Sequence, residues 1–271
     1  MADKSAIENL VTTIRPYRVK HLYRYRSMES RGLEDIFEKR RIYLPDPTLF
    51  NDPFECRPKL TYHESTLKRG KYLKGITKER FPGADKRTIK KLMRKKAKKQ
   101  LLTDIEHLKK AYEAFVKTIG VLCLSEKNDD ILMWSHYSDA HRGICLQFDS
   151  SKEGTLFWEA LKVIYQEEYP VVNVMDMRNP DEFRKALLTK SDHWQYEQEW
   201  RILKTEEEGG SDIYPFSAEL LTGVVLGALI PDDDRKEVLD WISVYPSNVK
   251  LYQARISRMK YQLDIEPVCL A

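Results

Sequence analysis

The hydrophobic and polar positions along the chain predict short strands separated by short helices. His21 to Arg26 alternates aromatic with basic side chains, which is the two-residue period of a strand with two different faces. Short apolar runs later in the chain are typical of buried strands. Further strands are predicted at Arg41 to Leu44, Val121 to Ser125, Gly143 to Phe148, Leu161 to Gln166, Glu197 to Leu203, Gly223 to Ile230, Val249 to Arg255 and Tyr261 to Ile265.

Helical spacing marks the segments between these strands. Leu33, Ile36 and Phe37 fall at i, i+3 and i+4, on one face of a short helix that Ser30 is placed to cap. Other helices are predicted at Asp129 to Tyr137, at Asp181 to Lys190, and from Pro231 to near Trp241. Strands and helices that mix without a regular β-α-β order predict the α+β fold class.

The segment from residue 64 to 118 is helical in pattern and strongly basic. Thr66 to Lys110 holds 17 Lys or Arg and 4 Asp or Glu, a local charge of +13 in a chain whose net charge is +4. One basic surface on an otherwise acidic body attracts polyanions. We interpret residues 64–118 as a basic helical insertion within a single domain that spans residues 1–271.

Composition excludes several classes of protein. With 42% hydrophobic and 32% charged residues the chain can bury a core, so wholesale disorder is excluded. No apolar run approaches the roughly 18–20 residues of a membrane span, and the first residues lack the apolar region of a secretory signal. We therefore expect a soluble, cytoplasmic protein with no membrane partner.

Common catalytic and metal-binding motifs are missing from the sequence. It contains no GxxxxGK[ST], GxGxxG, HExxH or GxSxG string. The four cysteines form no CxxC pair, which argues against a disulfide framework and a zinc knuckle. His136 and His141 are five residues apart, off the spacing of two ligands on one helical face. We expect no metal site.

The first candidate site is the segment Tyr23-Arg24-Tyr25-Arg26-Ser27. On a strand, the two arginines share one face and the two tyrosines the other. An arginine can bind a phosphate with two hydrogen bonds, while a tyrosine ring stacks on a base or nicotinamide. The alternative is an ordinary amphipathic edge strand.

Two further candidates lie later in the chain. Ser125 ends a buried strand, a position from which a hydroxyl can bond a ligand, although a serine is common there. Glu197, Glu199 and Arg201 share one face of a predicted strand, with the carboxylates roughly 7 Å apart. Carboxylates so close raise one pKa unless a cation compensates. Arg201 can be that cation, and the set is then a surface charge ladder.

Together these segments resemble a bacterial protein family known as domain of unknown function 2971. The resemblance rests on the strings LYRYRS, LFNDPFE, CLSE, MWSHYSDAHRGICLQFD and YEQEWRIL. It covers about Leu22 to Glu55, Val121 to Asp149 and Tyr196 to Leu203, so the basic segment lies outside it.

A looser resemblance is to ADP-ribosyltransferases of the Arg–Ser–Glu type. It implies a split, mixed α+β sheet core that binds NAD between two small sheets. Arg24 would then hold a phosphate or ribose of NAD, and Ser125 would orient the ribose and support the glutamate. Glu199 would be the catalytic carboxylate, with Glu197 positioning the acceptor. The further NAD contacts implied are Tyr25, Arg26, Asn51, Asp52 and Tyr137, where Asn51 and Asp52 have an Asx-type turn as their alternative.

The function expected from this resemblance is an NAD-dependent ADP-ribosyltransferase, as a toxin or phage-defence effector that modifies nucleic acid or protein. Such a toxin can have an inhibitory partner protein that keeps it silent. An NAD glycohydrolase on the same fold is one alternative. Another is a non-catalytic nucleic-acid-binding protein that acts through the basic segment, whose contacts would be Lys90, Lys91, Arg94, Lys95, Lys96, Lys98 and Lys99. The segment can also be a solvated helix packed through its apolar stripe.

Overall fold

The computed structural model describes residues 19–61, 82–83, 85–91, 106, 109–173 and 180–268. Its strands and helices alternate irregularly around one large mixed sheet, so the predicted α+β class is confirmed. Most of the basic segment, including Arg94, Lys95, Lys96, Lys98 and Lys99, lies outside the described residues. Residues 86–91 and 109–116 are helical, and Lys90 and Lys91 are exposed there.

The helices are short and the strands numerous. The α-helices whose two ends lie among the described residues are α1 (Leu33–Glu38), α2 (Ile131–Tyr137), α3 (Pro180–Leu188) and α4 (Asp232–Val244). The strands are β1 (His21–Arg26), β2 (Arg41–Tyr43), β3 (Lys59–Thr61), β4 (Gly120–Ser125), β5 (Ile144–Asp149), β6 (Leu161–Lys162), β7 (Ile164–Gln166), β8 (Val171–Asn173), β9 (Thr189–Ser191), β10 (Glu199–Lys204), β11 (Ile213–Pro215), β12 (Leu221–Leu226), β13 (Lys250–Ile256) and β14 (Leu263–Pro267). Among the described helices, none has the length and apolar content that crossing a membrane requires.

The large sheet has the strand order β14-β13-β12-β5-β1-β4-β10-β6. Six residue pairs join β1 to β5, and six join β4 to β10. Between β1 and β4 the register holds one pair, Tyr23 with Ser125. The sheet therefore consists of two well-paired parts that meet along a weakly paired seam, the β1–β4 seam.

The apolar core differs on the two faces of this sheet. On one face, Leu124 of β4 and Leu146 of β5 belong to a single cluster that spans both parts. On the other face the described residues form two clusters, one containing Val121 of β4 and the other Cys145 of β5. The apolar packing on that second face is thus interrupted near the seam, which leaves room for polar side chains.

Several predicted elements have different bounds in the structure. Gly32, at φ 79°, precedes α1, and the Ser30 side chain does not cap that helix. Leu161 to Gln166 is two strands, β6 and β7, which pair in different sheets. Lys190 lies in β9, not in the helix predicted for that region, because α3 ends at Leu188.

The apolar cluster that spans both parts of the large sheet can be tested by substitution. Leu146 is 0% exposed at the centre of the sheet, whereas Leu229 is 57% exposed. We expect Leu146→Ala to lower the free energy of unfolding by about 2–5 kcal/mol, because it removes contacts and leaves a cavity. Leu229→Ala is the matched control, with a change within about 0.5 kcal/mol. Urea unfolding at pH 7 measures both, and equal losses would contradict the assigned core.

Candidate functional site

The β1–β4 seam is occupied by the side chain of Arg24. By strand alternation its Cβ points to the face opposite Tyr23. Its guanidinium nonetheless reaches between the strands, where Nη1 donates to the carbonyl oxygen of Cys123 at 2.5 Å. The Cys123 carbonyl of β4 thus accepts from the Arg24 side chain, where a backbone N–H of β1 would bond it in a regular sheet. Nε of Arg24 is buried without a hydrogen-bond partner.

Ser125 and Glu199 lie directly opposite one another on β4 and β10. Ser125 is also opposite Tyr23 of β1. Tyr23, Ser125 and Glu199 therefore lie side by side across the adjacent strands β1, β4 and β10. The Ser125 hydroxyl donates to the backbone oxygen of Glu197 at 2.6 Å and accepts from the backbone N–H of Lys127 at 3.0 Å. The serine therefore fixes the turn that carries both glutamates.

The two glutamates are joined by a tight turn, not by the continuous strand expected from the sequence. A 3₁₀ helix runs from Asp192 to Glu197, and Gln198 adopts a left-handed conformation at φ 43° before β10 begins at Glu199. The backbone N–H of Glu199 donates to the Tyr165 hydroxyl at 2.7 Å. Both glutamates and Arg201 are buried. The surface charge ladder is therefore wrong for these three residues.

Lys190 lies between the two carboxylates. Its Nζ is 2.5 Å from Glu197 Oε2 and 2.9 Å from Glu199 Oε2. A third carboxylate oxygen, Glu55 Oε1, is 3.5 Å away. The ammonium also lies over the ring of Trp194, 5.1 Å from its centroid. An ammonium has three donors, and this one lies among three carboxylates, two joined by the turn at Gln198 and one from the loop before β3.

Arg201 closes the network from the other side. Its Nε and Nη2 donate to the two oxygens of Glu199 at 2.8 and 3.0 Å, and Nη2 also donates to Glu55. Nη1 donates to the backbone oxygen of Leu187 at 2.5 Å. Arg201 is 0% exposed, so its charge depends on these carboxylates for compensation.

We name these five side chains, Glu55, Lys190, Glu197, Glu199 and Arg201, the charged cluster. Burial raises the pKa of the Glu199 carboxyl, Lys190 opposes that rise, and the balance remains above the ordinary value. Burial lowers the pKa of Lys190, but Glu199 and Glu197 raise it by more than burial lowers it, so the ammonium stays charged. Arg24 interacts electrostatically with Glu199 and brings a sixth charge to the cluster.

The charged cluster reaches the surface at Glu197, which is bonded to the partly exposed Tyr137. The Tyr137 hydroxyl donates to Glu197 Oε1 at 2.7 Å, and the exposed Asn51 side chain hydrogen-bonds the same hydroxyl. Burial and the negative charge of Glu197 raise the pKa of Tyr137, which keeps the phenol protonated. Tyr137 and Tyr196 are both partly exposed. A polar ligand would meet this end first.

The remaining predicted ligand contacts are placed differently. Tyr25 is 6% exposed, packs edge-on against Trp134 and donates to the backbone oxygen of Lys127 at 2.8 Å. Asp52 Oδ1 accepts from the backbone N–H of Phe54 at 2.8 Å, which is the Asx-type turn. Arg26 has Nε buried without a partner, and burial lowers its pKa to about 9. Tyr25 is thus a core residue and Asp52 shapes its loop.

Two members of the charged cluster were not singled out from the sequence, Lys190 and Glu55. Lys190 ended a segment with a helical pattern, and Glu55 was one letter of the NDPFE string. The signal available for Glu55 is its place in a string that carries the family resemblance, whereas nothing in the sequence separates Lys190 from Arg184 and Lys185 of the same segment. Among the described residues, no group of three His, Cys, Asp or Glu is arranged to hold a metal ion.

A protein-family comparison matches the part of the chain that carries most of this site. The model of the family described as "Protein of unknown function (DUF2971)" matches residues 133–202. This match supports the family resemblance, and it includes Tyr137, Lys190, Glu197, Glu199 and Arg201. No curated protein and no solved structure matches the chain.

The compensation of the buried carboxylates by Arg201 can be tested by substitution. Arg201→Met leaves Glu55 and Glu199 without the guanidinium, so we expect the free energy of unfolding at pH 8 to fall by about 3–5 kcal/mol. Arg142→Met is the matched control, because the Arg142–Asp139 pair is exposed and contributes about 0–1 kcal/mol.

The same variant has a predicted pH dependence. Without Arg201 the buried carboxyls bind protons more tightly in the folded than in the unfolded state, so stability falls as the pH rises. The deficit of Arg201→Met relative to wild type should therefore be smaller at pH 5 than at pH 8. Urea unfolding at the two pH values measures it, and a deficit that grows toward pH 5 would show that these carboxylates do not depend on Arg201.

Proposed function

We propose that this protein breaks the bond between nicotinamide and ribose in NAD and transfers the ADP-ribose, as ADP-ribosyltransferases do. The observation that carries the proposal is the convergence of three predicted residues at one seam. Arg24, Ser125 and Glu199 come from the adjacent strands β1, β4 and β10, and Arg24 interacts electrostatically with Glu199. The adjacency of residues from three separate parts of the sequence supports the proposal, because the resemblance gives each of them a role at one site.

The form of the sheet also supports this proposal. The resemblance implies a core made of two small sheets, with NAD bound between them. Here one residue pair joins β1 to β4, and the apolar packing on one face is interrupted nearby. The strand order is continuous, so the division is a weakened seam within one sheet.

Arg24 is suited to bind an anion at this seam. No carboxylate lies within ion-pair distance of it among the residues that the structure describes. Nε is buried without a partner, and burial lowers the pKa of its guanidinium, which an anion would offset. A phosphate of NAD is an anion that a guanidinium binds with two parallel hydrogen bonds.

The contacts favour Glu197 as the carboxylate that meets the ribose. The resemblance assigns the catalytic role to Glu199, but both oxygens of Glu199 already accept from Lys190 and Arg201. Glu197 uses one oxygen for Lys190 and the other for the partly exposed Tyr137 hydroxyl. A ribose hydroxyl can replace that tyrosine hydroxyl as the donor to Oε1. Glu199 then holds Lys190, the cation that orients Glu197.

The proposed reaction begins when the bond from ribose C1′ to the nicotinamide nitrogen breaks. Its electron pair leaves with nicotinamide, which becomes neutral, and C1′ becomes oxocarbenium-like. The Glu197 carboxylate, hydrogen-bonded to the ribose 2′-hydroxyl, stabilises this positive charge more in the transition state than in bound NAD. The acceptor oxygen or nitrogen then bonds to C1′ and loses its proton to Glu197 or to water.

The acceptor and the biological setting belong to the same proposal. The exposed Lys90 and Lys91 are suited to attract a nucleic-acid acceptor, and the role of a toxin or phage-defence effector with an inhibitory partner follows from the resemblance. Water as acceptor would make the protein an NAD glycohydrolase. The assay below separates these reactions by whether ADP-ribose is released or attached.

Nicotinamide release from NAD by the purified protein tests the proposal. We expect Glu197→Gln to lower the rate at least about 100-fold, because the amide cannot stabilise the cationic ribose. Glu199→Gln should also lower the rate, through the loss of its bonds to Lys190 and Arg201. Chromatography of the products, with and without added RNA, DNA or protein, identifies the acceptor.

The matched control is Glu207→Gln, since Glu207 is exposed and lies outside the charged cluster. It should release nicotinamide at the wild-type rate. A folded Glu197→Gln protein with the wild-type rate, or a wild-type protein that releases no nicotinamide with any acceptor, would overturn the proposed function.

A further inference from the structure

Lys190 is the residue through which the charged cluster holds together. It lies in the middle of β9, which pairs in parallel with β7 so that Lys190 is opposite Tyr165. The residue is 7% exposed. Its Nζ joins Glu197 and Glu199 at 2.5 and 2.9 Å. The two carboxylates are thus linked to one another by a single ammonium.

The surroundings of Lys190 explain why this ammonium matters to the charge of Glu197. Three carboxylates face it, and Arg201 compensates Glu199 and Glu55 but makes no bond to Glu197. Lys190 is therefore the cation paired with Glu197 among the described residues. The other titratable groups that interact with Lys190 are Cys56 of the loop before β3, Cys123 of β4, Tyr137 of α2, Tyr165 of β7 and Tyr196 of the 3₁₀ helix.

Without the ammonium, Glu197 would face a second buried carboxylate with no cation between them. Burial and a neighbouring like charge both favour the protonated form of a carboxyl. A protonated Glu197 carries no negative charge to stabilise a cationic ribose. Without Lys190, Glu197 would also lose the hydrogen bond to its Oε2. The carboxyl would then be free to rotate away from Tyr137.

We propose that Lys190 is a positioning residue, which keeps Glu197 ionised and oriented toward the partly exposed end of the charged cluster. This inference rests on the proposed function and adds a residue to it. Lys190 acts through Glu197 and does not touch the reacting atoms. Stability alone does not require such an arrangement, because well-packed apolar side chains often replace a buried ion pair without loss.

The charge of Glu197 can be measured without NAD, by titrating the carboxyl carbons of ¹³C-glutamate-labelled protein by NMR. Glu197 is assigned by its absence from the spectrum of Glu197→Gln. In Lys190→Met we expect the Glu197 carboxyl to titrate at least about one pKa unit higher than in wild type. Lys190→Arg, which keeps the positive charge, should restore most of the wild-type value. Lys185→Met is the matched control, because Lys185 forms an exposed pair with Glu182.

Kinetics supply the second readout. If chemistry depends on ionised Glu197, the pH at which kcat/KM reaches half its maximum should rise in Lys190→Met with the NMR titration. Lys190→Arg should recover the wild-type profile at least in part. A structural role alone would lower the amount of folded protein without moving this pH.

Each outcome decides the inference. An unchanged Glu197 titration in folded Lys190→Met overturns it, even if wild type cleaves NAD. No NAD cleavage by wild type overturns the proposed function, while the titration still decides whether Lys190 keeps Glu197 ionised. Should Lys190→Met fail to fold, Lys190→Met/Glu199→Gln removes one positive and one negative charge together. Its Glu197 carboxyl is then titrated against that of Glu199→Gln, with the same rise expected.

Discussion

The charged cluster is the constraint on which the site depends. Five acidic or basic side chains are buried, and each is held there by at least one partner from another segment. Glu55 and Arg201 are 146 residues apart in the chain, yet both are buried and hydrogen-bonded to one another. Because an unpaired buried charge is strongly destabilising, the loop before β3, strand β9 and the start of β10 can assume their positions only together.

The cluster lies beside the place where the large sheet is weakest. One pair of residues joins β1 to β4, and the guanidinium of Arg24 occupies the space beyond it. On the face of the sheet that carries Glu199 and Arg201, the described apolar residues form two separate clusters. A polar group can be accommodated on this face without breaking a continuous core, and ligands often bind where two parts of a fold meet.

Sequence patterns predicted many of the strands and helices, and they predicted part of the candidate site. Alternation located β1 to the residue, and the spacing of Glu197, Glu199 and Arg201 indicated a carboxylate pair with a cation. The turn between the glutamates could not be predicted, because Gln198 is left-handed and that conformation is uncommon outside glycine and asparagine. Lys190 and Glu55 are joined to the site by tertiary contacts alone, which no local pattern encodes. The roles assigned to Arg24, Ser125 and Glu199 remain predictions.

The central claim is that NAD binds at the β1–β4 seam with its nicotinamide near Tyr137. NMR of isotopically labelled Glu197→Gln protein with unlabelled NAD tests this most directly, because we expect this variant to bind NAD but to cleave it far more slowly than wild type. We predict NOEs between the nicotinamide ring protons and the ring protons of Tyr137. NAD that does not bind, or that gives NOEs confined to residues remote from the seam, would contradict the account.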